Sequence, residues 1–182
     1  MTNAQWLEYL DENPDFSNLY DGNYGGGHLQ GRLKSIPTIF NNALPGSDFS
    51  SDRTIYTNLI LLCSKDVNSI KSECNNQGVD EKSLIFASLK FFIEATLSVC
   101  DPRFIFCFGN AESGYSPYAI LKNFFSIEDF HFLHFKCRNL IIKISKVNIK
   151  GINRNFIFWP HPSYNPIYAE GVVEAIQRFD DF

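Results

Sequence analysis

Phe156-Ile157-Phe158-Trp159-Pro160-His161-Pro162-Ser163-Tyr164-Asn165-Pro166 carries an apolar run straight into a histidine held between two prolines. The run reads as a strand buried on both faces, the pattern of a central strand in an α/β sheet. Proline cannot donate to a ladder and fixes its own φ, so Pro160 and Pro162 stop the strand and stiffen the backbone around His161. Such a loop can hold an imidazole where a reaction needs it. A proline-rich turn with a hydrogen-bonded histidine accounts for the same residues without chemistry, and this stretch alone leaves both readings open. Ser163 and Asn165 follow in the loop, and Pro166 separates it from a helix expected over 167–179.

Working outward, a second strand is expected at Arg103-Phe104-Ile105-Phe106-Cys107-Phe108, ending in Gly109-Asn110-Ala111. It follows a helix expected over 81–99, with Leu84, Ile85, Ser88, Leu89, Phe92 and Ile93 at three- and four-residue spacing and Asp101-Pro102 as its stop. A helix, a short turn and a buried strand make half of a parallel α/β unit. Thr54-Ile55-Tyr56-Thr57-Asn58-Leu59-Ile60-Leu61-Leu62-Cys63 reads as a third strand, with Asn58 either satisfying neighbouring backbone or facing a pocket. The apolar runs at 130–137 and 139–149 are further strand candidates, and 65–80 reads as a polar loop. Helices are expected over 4–10 and over part of 29–44, where Pro37 breaks or starts one.

With 182 residues, 45% of them hydrophobic and eighteen phenylalanines, the chain is expected to fold as one domain spanning 1–182. No uninterrupted apolar segment is expected to reach membrane-spanning length, and 1–13 is too polar for a signal peptide, so the expectation is a soluble, cytoplasmic monomer. Five cysteines without a CxxC pair read as reduced thiols, and no metal or cofactor is expected. The net charge of −4 is unevenly placed: residues 1–101 carry 13 acidic and 7 basic side chains, residues 102–182 carry 7 and 9. The cations gather between Lys136 and Arg154, either as a phosphate footprint or as the solvated face of a strand and its turns.

The glycine-rich stretch Asp21-Gly22-Asn23-Tyr24-Gly25-Gly26-Gly27-His28 lets backbone approach a ligand closely, or serves as a surface turn. It matches neither a Walker motif nor GxGxxG.

Taken together, these motifs resemble the uracil-DNA glycosylase superfamily. His161-Pro162-Ser163 matches its late His-Pro-Ser loop, and Tyr56-Thr57-Asn58-Leu59 resembles its strand ending in a base-reading asparagine. The passage 101–111 is similar to its helix-to-strand segment ending in Gly-x-Ala, and Asn23-Tyr24-Gly25 is the nearest match to its Asn-Pro-Gly, with Tyr24 in place of proline. The order agrees from about residue 20 to residue 179. The resemblance implies a three-layer α/β sandwich with a central, mainly parallel sheet.

It also implies hydrolysis of the N-glycosidic bond of a deaminated or modified base in DNA, uracil by default. His161 would stabilise the departing base, and Asn23, or Asp21 as an acidic alternative, would hold the attacking water. Asn58 would read the base, with Gly25, Tyr24 or Phe40 against it. Pro162, Ser163, Tyr164 and Asn165 would enter the groove, and Lys143, Lys146, Lys150 and Arg154 would meet phosphates. The iron-sulfur cysteines of some branches are not reproduced, so no cluster is inferred. Two other readings remain: a glycosylase-like fold that binds nucleic acid, nucleotide or protein without chemistry, and a hydrolase of free nucleosides or nucleotides.

Overall fold

The computed structural model describes residues 28–46, 48–49, 59, 69–126, 128–162 and 164–180. Among these, four strands form one sheet in the order β1-β4-β3-β2: β1 Phe104–Phe108, β2 Phe130–Cys137, β3 Leu140–Ile149 and β4 Ile152–Trp159. Only β1 and β4 pair in parallel, with Phe104 opposite Asn155 and Phe108 opposite Trp159. β2, β3 and β4 form an antiparallel meander.

The sheet is therefore mixed, which corrects the expectation of a mainly parallel one. The cause is local. Cys137 pairs with Leu140 and Ile149 with Ile152, so each connection has two residues, too few for the crossover that parallel neighbours need. Lys150 and Gly151 have φ of 53° and 82°, the left-handed pair that suits a two-residue hairpin. β4 accordingly starts at Ile152, earlier than the 156–159 core of the apolar run. The predicted strand at 54–63 lies, apart from Leu59, outside the described residues.

Strand alternation sends side chains to two faces. Phe104, Phe106, Phe108, Ile157 and Trp159 pack with Ile142 and Ile144 against Ile36, Phe40 and Ala43 of helix α1 (His28–Ala43) and Val172, Ala175 and Ile176 of helix α5 (Ala169–Asp180). On the other face Ile105, Cys107, Phe156 and Phe158 pack with Val147 against helix α3 (Glu81–Phe91), its continuation, and helix α4 (Pro117–Phe124). Pro37 lies inside α1, where it removes one ladder bond. Burial of Ile36 and Phe40 on either side of it holds the helix together.

The predicted loop at 65–80 instead contains helix α2, Ile70–Asn76, which buries Ile70 and Cys74 one turn apart. Two apolar positions are too few to announce a helix. α3 starts where the Asp80 carboxylate accepts from the Ser83 amide at 2.8 Å. It continues through a π-helical turn, Phe92–Leu97, to Ser98–Cys100, and ends at Asp101 with φ of 40° before Pro102. Glu81–Cys100 is thus a 20-residue helix containing an 18-residue window of mean hydropathy 1.6, long and apolar enough to cross a membrane by length and composition. The expectation concerned an uninterrupted apolar span, and this helix reaches the length with Lys90 and Glu94 inside it. Ser88, Leu89, Phe92 and Leu97 of this helix are buried in the fold, while Phe86 and Phe91 are exposed.

Candidate functional site at the carboxyl ends of β1 and β4

β4 ends in four fully buried residues, Phe156 to Trp159, and the loop beyond is tied back onto them. The Trp159 carbonyl accepts from the Gly109 amide at 2.8 Å, which joins the ends of β1 and β4. The Trp159 indole donates to the Pro166 carbonyl at 3.0 Å, which closes the loop on its own strand. Pro162 is buried. The His161 carbonyl accepts from the Tyr164 amide and from the Asn165 side chain, both at 3.2 Å. His161 is an exposed residue, yet the strand ends and loop around it desolvate the imidazole and hold its pKa below the ordinary value. A neutral imidazole at neutral pH is a hydrogen-bond donor that brings no charge of its own.

Two glycines make this packing possible. A Cβ on Gly109, whose φ is 129°, would lie 2.7 Å from Pro117 Cδ, so only glycine lets α4 start so close to the end of β1. A Cβ on Gly171 would lie 2.7 Å from the Trp159 ring and 2.8 Å from Cys137 Sγ.

The loop after β1 holds groups that motif reading passed over. Asn110 donates to the Ile141 carbonyl at 2.6 Å, which pins the Gly109-Asn110-Ala111 segment to the start of β3. Glu112 forms ion pairs with Lys143 and, at 3.0 Å, with Lys122. Lys143 first and Lys122 second hold the Glu112 carboxyl below the usual carboxylate range. The Lys143 ammonium lies 3.9 Å from the centroid of the Tyr118 ring. The one available sequence signal was that Glu112 is the sole carboxylate between Asp101 and Glu128.

The four cations assigned to phosphate contacts do not converge. Lys143, opposite Phe158, is near the His161 end but buried and paired with Glu112. Lys146, opposite Asn155, is half-buried and lines a cleft of about 370 Å³ with Arg103, Phe104 and Asp180 at the amino end of the parallel pair. Arg154 is buried and paired with Asp101 at that same end. Lys150 occupies the β3–β4 turn beside Ile152, six residues from Phe158 along β4, or about 20 Å at the usual strand rise. Strand alternation puts Lys143 and Lys146 on opposite faces of the sheet.

Phe40 is a core residue. It is 5% exposed, with ring centroids 5.3 Å from Phe49 and 5.6 Å from Phe106. It is therefore enclosed by its neighbours, with no open ring face for a base. Tyr164 is 85% exposed, whereas the Asn165 amide is engaged within the loop. Phe40 meets Phe106 in mid-strand, while Ala43 and Leu44 share the cleft with Phe104, so α1 runs from the carboxyl end of β1 towards its start. Asp21, Asn23, Tyr24, Gly25, Asn58 and Ser163 lie outside the described residues.

The thiols of Cys74, Cys107 and Cys137 are structural in character. Burial pushes Cys107 up to about 12 and raises Cys74 and Cys137 above the ordinary thiol range. Among the described residues no group of three or more His, Cys, Asp or Glu side chains is arranged to hold a metal ion. No protein-family model, curated protein or solved structure matches this chain.

Proposed function

We propose that this chain is a DNA glycosylase-like hydrolase, a three-layer α/β domain that cleaves the N-glycosidic bond of a deaminated or modified base, with uracil the default. The observation that carries the reading is the placement of His161: a neutral imidazole on a tied loop at the carboxyl ends of a parallel strand pair, where ligands of open α/β sheets bind. Cleavage passes through a cationic sugar while negative charge grows on the departing base. A fixed donor meets that charge with no reorganisation, and its removal costs about 100- to 1000-fold in rate.

α1 begins at His28, directly after the glycine-bearing segment with Asp21 and Asn23, and it begins at the end of the sheet where His161 lies. This supports a shared site in which Asn23 or Asp21 holds the water and Asn58 reads the base through its paired donor and acceptor. Tyr164, 85% exposed, is a loop side chain suited to enter a groove.

A hydrolase of free nucleosides or nucleotides is the second reading, favoured by the scattering of Lys143, Lys146, Lys150 and Arg154, which gives no continuous phosphate track. An abasic-site assay separates the two. Labelled single- and double-stranded oligonucleotides carrying uracil, hypoxanthine, xanthine or modified cytosine are incubated with the protein and then treated with alkali. Cleavage that is lost in His161→Ala and Asn23→Ala establishes the glycosylase. Release of base from mononucleotides with none from oligonucleotides selects the second reading. Folded protein inactive on every substrate overturns both and leaves a binding module.

A further inference from the structure

We propose that Lys122, Lys143 and Tyr118 form a site for a phosphate group, in which the Glu112 carboxylate stands as the resident anion. The cluster lies where the loop after β1 meets β3: Lys143 is opposite Phe158, and His161 follows Phe158 by three residues. The inference does not depend on the glycosylase reading.

The first argument is a donor count. Two ammonium groups present six N–H donors against the two oxygens of one carboxylate. Glu112 Oε1 is given to Lys143 and Oε2 to Lys122. The Tyr118 side chain is fully buried, and its hydroxyl is within reach of the Lys122 ammonium alone, without a hydrogen bond of good geometry. Buried polar groups are normally satisfied, so an excess of donors around a single carboxylate marks a place built for more acceptor oxygens than it holds. The local charge is also unbalanced, two cations to one anion.

The second argument is the asymmetry of burial. The Lys143 side chain is 10% exposed and Glu112 is 59% exposed. A buried ammonium cannot be left without a counter-ion, whereas a carboxylate on an exposed loop returns to water at little cost. Glu112 is therefore the partner that leaves, and Lys143 is the one that must be met by an incoming anion. A phosphate monoester or diester offers more oxygens than a carboxylate, and a monoester also carries more charge. Lys122, 40% exposed, sits at the mouth and forms the entry side of the site.

The test is thermal melting of the full chain in inorganic phosphate against chloride of equal ionic strength, since an anion that binds the folded state raises the midpoint. Glu112→Gln is expected to rise by several degrees in phosphate, the parent by less because its own carboxylate competes, and Glu112→Gln with Lys122→Ala not at all. Lys122 is chosen because loss of the buried Lys143 can prevent folding. Three results would overturn the proposal: no phosphate response in Glu112→Gln, a parent response as large as that variant's, or a response that survives Lys122→Ala. Repeating the melts with a nucleoside 5′-monophosphate and with an oligonucleotide at equal phosphate concentration tells the sources apart. A larger rise with the former assigns a free monoester, and a larger rise with the latter assigns a backbone phosphate.

Discussion

At the carboxyl end of the parallel pair a buried cation, Lys143, meets a carboxylate on a loop, Glu112; at the amino end another buried cation, Arg154, meets Asp101. The chemistry of the two pairs is alike and their surroundings are not. Asp101 stands at a helix stop, in the left-handed conformation before Pro102, and its pairing with Arg154 ties the end of the long helix to β4. Glu112 is shared with a second lysine, beside a buried tyrosine hydroxyl and close to the loop of His161. The amino end joins elements and leaves one buried donor, Arg154 Nε, without a partner, while the carboxyl end sets two lysines and a buried tyrosine around one exposed carboxylate. That difference follows from strand direction, because the loops leaving parallel strands meet where ligands bind.

The largest expected effect, on the function proposed above, would break the comparison at the His161 end. His161→Ala should lower base release by about 100- to 1000-fold with an unchanged melting midpoint, read by the abasic-site assay and circular dichroism. A similar loss of rate from a substitution at the amino end, with folding intact, would erase the distinction between the two ends.

Gly109→Ala should be the most damaging change to the carboxyl end's architecture. The added methyl lies 2.7 Å from Pro117, and the backbone at φ of 129° is strained for any side chain. Equilibrium unfolding should report a loss of about 1–3 kcal/mol. Activity should fall with it, because the Gly109 amide holds the Trp159 carbonyl at the root of the His161 loop.

The amino-end pair sharpens the comparison through its own asymmetry. Arg154 is 10% exposed in its side chain and Asp101 is 79% exposed. Asp101→Asn, which keeps a residue tolerant of the left-handed backbone, leaves a buried guanidinium without its counter-ion and should cost about 1–2 kcal/mol. Arg154→Met leaves only an exposed carboxylate and should cost less. Neither should change the rate, and denaturant melts compared with initial rates would show whether that holds.

The smallest effect is in pH. The His161 pKa is lowered on folding, so in the window below the ordinary value of 6.5 the unfolded chain binds the proton and the folded one does not. Stability therefore rises with pH through that window and is fully present above 6.5. An NMR titration of the His161 ring should give a midpoint below 6.5, and His161→Gln should flatten that part of the stability profile. A midpoint above 6.5 would mean that an anion, not desolvation, dominates the loop.

Much of the fold was legible from the chain. The apolar runs became β1, β2, β3 and β4, and the spacing of Leu84, Ile85, Ser88, Leu89 and Phe92 became the long helix, capped by Asp80. The mixed character of the sheet was not read from the chain, because the two-residue connections at 138–139 and 150–151 went unrecognised as hairpins and Lys143 and Lys146 interrupt the second run. Of the candidate site, the loop around His161 was readable because proline acts locally on its own backbone. The dispersal of the cations was not, because neighbours at Lys143, Lys146 and Lys150 in sequence part to two faces and two ends once strand alternation and register act.

By itself, then, the sequence determined where β1 to β4, the long helix and the closing helix lie and that His161 leaves a buried strand through a proline-held loop; apolar spacing and proline are short-range and need no partner to act. Only the tertiary structure decided which strand lies beside which, that Phe40 belongs to the core, and that Glu112, Lys122, Lys143 and Tyr118 meet. Those outcomes depend on residues far apart in the chain, 31 between Glu112 and Lys143, 51 between Phe104 and Asn155 and 66 between Phe40 and Phe106, whose encounter is set by how both faces of the sheet are covered and not by any local preference.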